Sequence, residues 1–249
     1  MNKFLPPFYC RSKNPLLRGL AFFEHVLKAK RGRVQTPWQR CLAHFETLFI
    51  DNTLFSFLFL NKHRVTEKLW RAGQPHPFQI RGLAKAGIRT IINLRGERDC
   101  ASYYLEEQAC QRHGIALVNV TMESKRPPTR EKIAELAQVF STTTYPALMH
   151  CKSGADRTGL AAALCLMIHD GRSVEEAQKQ LSLRYGHLAS SKTGVLDAFL
   201  AAYQKAAAQE GVTFLAWAQS PAYDREAIMA VYKPRRFVSW LGDLVLRRE

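Results

Sequence analysis

The sequence predicts an α/β protein of three layers, α/β/α, in which helices cover both faces of a small, mainly parallel sheet and a basic helical appendage precedes it. Three observations predict this. From residue 69 onward, short apolar runs at 69–71, 88–94, 115–120 and 146–150 alternate with helical segments at 77–86, 101–112 and 128–141. Strand–helix–strand repetition is the pattern of a parallel sheet with crossover helices. The chain has 249 residues, 47% hydrophobic and 23% charged, enough for one large domain with an appendage, and a composition that excludes disorder as the main state. Charge is segregated: residues 1–66 hold 11 Lys and Arg against 3 Asp and Glu, over half of the net +15.

Residues 1–66 therefore read as the appendage. Within it, Trp38, Cys41, Leu42, Phe45, Leu48 and Phe49 fall near the three-to-four spacing of one apolar helical face over 38–60. The main domain spans 67–210. Beyond residue 157 the pattern is helical, at 158–169, 173–184 and 192–208, and residues 211–249 read as a helical extension. Its tail, 235–247, puts Phe237, Trp240, Leu241 and Leu244 on one face, flanked by Lys233, Arg235, Arg236, Arg247 and Arg248. A basic amphipathic helix with Trp suits either docking on the core or peripheral contact with an acidic membrane.

Several classes are set aside. The six cysteines, at 10, 41, 100, 110, 151 and 165, form no CxxC pair and no metal-site or disulfide spacing, so reduced thiols and a cytoplasmic setting are expected, with no metal or other cofactor. Pro6, Pro7, Arg11, Lys13 and Pro15 interrupt any secretory apolar core. The longest apolar stretch, 48–60, contains Asp51 and Asn52 and falls short of a membrane span. The excess positive charge predicts an anionic partner.

The informative stretch runs from Tyr145 to Gly159: an apolar strand, then His150-Cys151-Lys152-Ser153-Gly154-Ala155-Asp156-Arg157-Thr158-Gly159, then an unbroken helical run. A bare Cys-five-residues-Arg spacing is weak among six cysteines, and the context supplies the specificity. A strand, a glycine-bearing tight loop and a helix start direct backbone N–H groups and the positive end of a helix dipole into one concavity. Such a cradle favours thiolate over thiol and makes the cysteine a nucleophile. Arg157 can grip two phosphoryl oxygens through its planar fork. Thr158 can donate its hydroxyl to the departing sulfur. Lys152, Ser153, Gly154 and Ala155 are the substrate-binding candidates. The chemistry expected is a phosphocysteine intermediate formed and hydrolysed in turn.

These residues resemble the signature of the cysteine-dependent protein tyrosine phosphatase superfamily, His-Cys-five-residues-Arg-Thr/Ser-Gly, in particular its compact dual-specificity-like branch in bacteria. Trp70-Arg71-Ala72-Gly73-Gln74-Pro75 and Ile91-Ile92-Asn93-Leu94-Arg95 are similar to two core strands of those enzymes. The resemblance covers about 68–205 and implies a catalytic domain acting on phosphorylated protein. It also implies a general acid, usually Asp, roughly thirty residues before the cysteine. No Asp lies between Asp99 and Asp156, leaving two candidates. Glu123 sits in the expected loop, where it reads equally as a solvated carboxylate facing Lys125 and Arg126. Asp156 lies inside the signature, similar to the myotubularin and Sac-type phosphoinositide phosphatases, and reads equally as a structural partner of the loop. His150 is read as orienting the loop, and Cys165 as core.

Lys152 is similar to the loop lysine of phosphatase-and-tensin-type lipid phosphatases, and an ammonium there suits substrates with more than one phosphate. Protein phosphotyrosine or dual-specificity hydrolysis is thus the leading expectation. The alternative is an anionic phospholipid or phosphoinositide headgroup at a membrane surface. A non-catalytic phosphate-binding module is opposed by intact Cys151, Arg157 and Thr158. A nucleic-acid partner rests on charge alone, without a recognisable motif, and the Arg157-Thr158 pair favours phosphate over sulfur transfer.

Overall fold

The computed structural model describes residues 60–234, together with Ala43, His44 and Thr47. Five strands form one sheet: β1 (His63–Arg64), β2 (Leu69–Ala72), β3 (Thr90–Asn93), β4 (Ala116–Asn119) and β5 (Ala147–His150). Their order is β1-β2-β5-β3-β4. β1 pairs antiparallel with β2, and the remaining neighbours are parallel. In register, Ala72 and Asn93 both face His150, and Asn93 faces Asn119. The four parallel strands therefore end level, with β5 in the middle, and loops leaving such carboxyl ends form the usual ligand crevice of an open α/β sheet.

Strand alternation sorts the core into two layers. Ala72, Ile91 and Leu148 face one side, where they meet Ile80 and Leu83 of α1 (Pro77–Lys85) and Ala109 and Cys110 of α2 (Ala101–His113). Leu69, Ile92, Ala147 and Met149 face the other. There they pack on Ile133 and Leu136 of α3 (Arg130–Thr142) and on α4 (Asp156–Ile168). Every α4 residue from Asp156 to Met167 is buried, as a helix apolar on all sides requires. α5 (Val174–Gln178) and α6 (Val195–Glu210) complete this layer. The expected α/β/α architecture is present.

Three boundaries differ from the sequence reading. The sheet begins at His63, inside the stretch assigned to the appendage, because β1 pairs with β2. The helix expected over 173–184 stops at Gln178, and a 3-10 turn follows at Leu183–Tyr185. The chain turns there because the Gln180 carbonyl and amide oxygens accept hydrogen bonds from Arg71. The segment after 210 is part of the core: α7 (Phe214–Gln219) and α8 (Arg225–Val231) follow α6, and Phe214, Trp217 and Tyr223 cluster against Phe199 with ring centroids 5.5–6.0 Å from it. Apart from Ala43, His44, Thr47 and Leu60, the 38–60 helix lies outside the described residues, as does the 235–247 tail. Among the described residues, no helix is long and apolar enough to cross a membrane.

Candidate active site

The loop leaving β5 is held from outside, carbonyl by carbonyl. The His150 carbonyl accepts from Leu94 N at 2.8 Å, and the Lys152 carbonyl from Gln74 N at 3.1 Å. Cys151 O lies 3.1 Å from His150 Nδ1. Ser153 O accepts from Asn61 Nδ2 at 3.0 Å. Gly154 O and Ala155 O accept from Arg71 Nη2 at 2.8 and 3.1 Å. In a trans peptide the carbonyl of one residue and the N–H of the next point in opposite directions. Six carbonyls secured by the surroundings thus leave the following N–H groups turned toward the inside of the loop. They join the N–H groups of the first turn of α4, where the helix dipole is positive. The loop that results is an anion cradle.

Gly154 makes the turn possible. Its φ is +76°, and a Cβ there would lie 2.6 Å from the Ala72 carbonyl carbon and oxygen and from Gly73 N. Both the left-handed conformation and the contact with immovable backbone require glycine.

Within this frame Cys151 is 2% exposed and Arg157 8% exposed, the latter in the first turn of α4. Thr158 is fully buried, and its hydroxyl has no hydrogen-bond partner among the described residues. Lys152 and Ser153 are half-buried, whereas Gly154 and Ala155 are buried. Cys165 lies two turns along α4 in the core, and burial pushes its thiol up to about 12.

The two acid candidates are placed differently. Asp156 is buried, and its Oδ1 lies 2.7 Å from His187 Nδ1, while His187 Nε2 lies 2.6 Å from Asp197 Oδ2. Burial alone would lower the His187 pKa, but hydrogen bonds to Asp156 and Asp197, with their charges, outweigh it and push the ring up to about 9. Asp156 thus faces an imidazolium at neutral pH. Glu123 is exposed on the segment after β4 and pairs with Arg225 Nη2 at 3.2 Å and Arg126 Nε at 3.8 Å. That segment is fastened by residues of the chain's last described turns. Arg225 Nε donates to Pro127 O at 2.7 Å, and the Tyr223 hydroxyl donates to Pro128 O at 2.5 Å. The cradle residues come together in one loop, with Asp156 turned to His187 and Glu123 turned to Arg225.

Sequence reading missed four supports of the loop. Beneath the cysteine, His150 Nε2 lies 2.6 Å from Glu106 Oε1, and both side chains are buried. The other carboxylate oxygen of Glu106 accepts from Gln74 Nε2 at 2.8 Å, and Gln74 in turn accepts from Arg95. His187, Asn61 and Arg71 are the others. Asn61 adopts a φ of +50° and joins Ser153 O to Tyr185 O. Arg71 carried a signal: it shares its strand face with core residue Leu69, and a charge at a core-facing strand position demands partners.

The model of a family described as "DSP-PTPase phosphatase fused to NAD+ Kinase" matches residues 59–195. The chain is 32% identical over 124 residues to a "Beta-lactamase hydrolase-like protein" of Xylella fastidiosa, covering 49% of this chain and 28% of that one. It is 24% identical over 123 residues to the "Dual specificity protein phosphatase TpbA" of Pseudomonas aeruginosa, 49% and 53% respectively. It is 32% identical over 107 residues to the "Inositol diphosphatase DSP4" of Arabidopsis thaliana, 40% and 52% respectively. The chain spans about half the length of the latter two and less of the first. The crystal structure of TpbA superposes with a TM-score of 0.45 at 20% identity, covering 57% of this chain and 84% of that one.

Proposed function

This chain belongs to the family of DSP-PTPase phosphatases described as fused to NAD+ kinase, and from that premise we propose that it hydrolyses phosphomonoesters through a phosphocysteine formed on Cys151. The observation that carries the proposal is the cradle, whose carbonyls are all secured outward around a cysteine, with an arginine in the first turn of the following helix. A phosphoryl group held by the inward N–H groups and the Arg157 fork presents its phosphorus to the Cys151 sulfur. The S–P bond forms as the P–O bond to the leaving group breaks, and that oxygen takes a proton. Water then attacks phosphorus, its proton passing to the carboxylate that donated one in the first step, the P–S bond breaks, and the thiolate leaves with the Thr158 hydroxyl donating to it. The unpartnered Thr158 hydroxyl suits this second step. Glu123, exposed on the segment after β4, is taken as the proton donor, since the buried Asp156 carboxylate faces the His187 ring.

Phosphorylated protein is the leading substrate, in keeping with the name of the relative TpbA. A second reading, a polyphosphorylated inositol or lipid headgroup, is favoured by the half-buried Lys152 beside the nucleophile and by the inositol diphosphatase relative. Phosphate release by wild type and Cys151→Ser, without added metal, on phosphotyrosine peptides and on soluble headgroup substrates tests both. Peptide turnover lost in the variant supports the first reading. Headgroup turnover alone supports the second, and no cysteine-dependent turnover on either panel rejects the enzyme.

A further inference from the structure

Arg71 is the largest fully buried side chain among the described residues. A guanidinium does not lose its charge inside a protein, so burying it is costly unless charge and hydrogen bonds compensate. Yet no carboxylate contacts it among the described residues. Nη1 donates to Gln180 O at 2.5 Å and to Gln180 Oε1 at 2.9 Å, Nη2 donates to Gly154 O and Ala155 O, and Nε has no partner. The guanidinium lies 3.9 Å from the centroid of the Tyr185 ring. Four of its donor contacts are thus to neutral oxygens, two of them the last carbonyls of the catalytic loop before α4.

We propose that Arg71 is the positioning residue of the phosphate cradle: its fork fixes the Gly154 and Ala155 carbonyls outward, and its charge is balanced by the Cys151 thiolate and the bound phosphoryl dianion. The first part follows from peptide geometry. Holding those two carbonyls turns the N–H groups of Ala155 and Asp156 into the concavity, and only a rigid planar fork reaches both oxygens and Gln180 at once. The second follows from charge. Asp156, the nearby carboxylate, already faces the His187 imidazolium, which leaves the anions inside the loop. Burial lowers the Arg71 pKa to about 10, against the favourable influence of Tyr185, Cys151 and Asp156.

This rests on Cys151 as the nucleophile, and the test separates the two. Wild type, Arg71→Gln, Arg71→Lys and Gln180→Ala are compared in the full chain. One measurement is the pH dependence of Cys151 alkylation by iodoacetamide, read on the Cys151 peptide by mass spectrometry. The other is inhibition by inorganic phosphate, with circular dichroism to confirm folding. Arg71→Gln is expected to move the alkylation midpoint up by about one pH unit or more and to weaken phosphate about tenfold. Arg71→Lys keeps the charge without the fork, so the midpoint stays while phosphate binding weakens. Gln180→Ala, which leaves Arg71 in place and removes one of its anchors, weakens phosphate about threefold with the midpoint unchanged. A merely structural arginine would alter melting but not the midpoint of a folded variant. A folded Arg71→Gln with wild-type alkylation and phosphate inhibition overturns the proposal. Should that variant fail to fold, unchanged phosphate inhibition in both Arg71→Lys and Gln180→Ala overturns it. Absence of cysteine-dependent turnover in wild type rejects the enzymatic reading instead, while the alkylation profiles still decide the role of Arg71.

Discussion

The buried His187 ring, which joins buried Asp156 to half-buried Asp197, makes stability depend on pH in a calculable way. Asp156 stands next to Arg157 at the start of α4, Asp197 stands in the first turn of α6, and the His187 ring bridges them with no exposed side-chain surface. Its pKa rises from 6.5 to about 9 on folding. The native state therefore holds a proton that the unfolded chain releases above 6.5. The resulting stability is fully present below pH 6.5 and is lost as pH rises through 9. A shift of this size corresponds to on the order of 3 kcal/mol, a large share of a typical domain's stability. Urea unfolding of wild type at pH 6.5, 7.5 and 9 should show the midpoint falling. His187→Gln should be less stable at pH 6.5, because a buried carboxylate loses its cation, and should lose little more by pH 9. Parallel wild-type and variant profiles across this range would refute the reasoning.

Three further outcomes are expected. Gly154→Ala combines a left-handed backbone with a Cβ pressed against Ala72 and Gly73; roughly 2–4 kcal/mol of destabilisation and loss of turnover should follow, measured by denaturant midpoint and phosphate release. Glu123→Gln should cost about a hundredfold or more on alkyl phosphates but little on activated aryl phosphates, whose leaving oxygen needs no proton. The same selectivity from Asp156→Asn, with none from Glu123→Gln, would transfer the acid role. Arg225→Ala releases Glu123 and Pro127 together, and tryptic cleavage after Lys125, whose next residue is not proline, should become faster. Cleavage at the wild-type rate would mean that α8 does not hold the loop.

The strands and the loop after β5 were legible because their signals are local. Alternating apolar runs placed β2, β3, β4 and β5 within two residues of where they stand, and Cys151, Gly154 and Arg157 lie within one short stretch. The break after Gln178 was not legible: residues 173–184 carry a helical pattern, and the partner that Gln180 meets there, Arg71, is 109 residues away along the chain. The C-terminal helices looked like an extension because the rings that bind them to Phe199 come from a different element.

By itself, the sequence determined the layer order, the strand that precedes Cys151 and the loop that gathers Cys151, Gly154 and Arg157. Each of these rests on backbone periodicity and residue chemistry acting over a few neighbouring positions. Only the tertiary structure decided what holds the cradle open and where each carboxylate is committed. Arg71 meets Gly154 across 83 residues, Asn61 meets Ser153 across 92, and Arg225 meets Glu123 across 102. Those partners are chosen by which buried charges and carbonyls the packed layers bring within reach of one another, and that choice is made in space rather than along the chain.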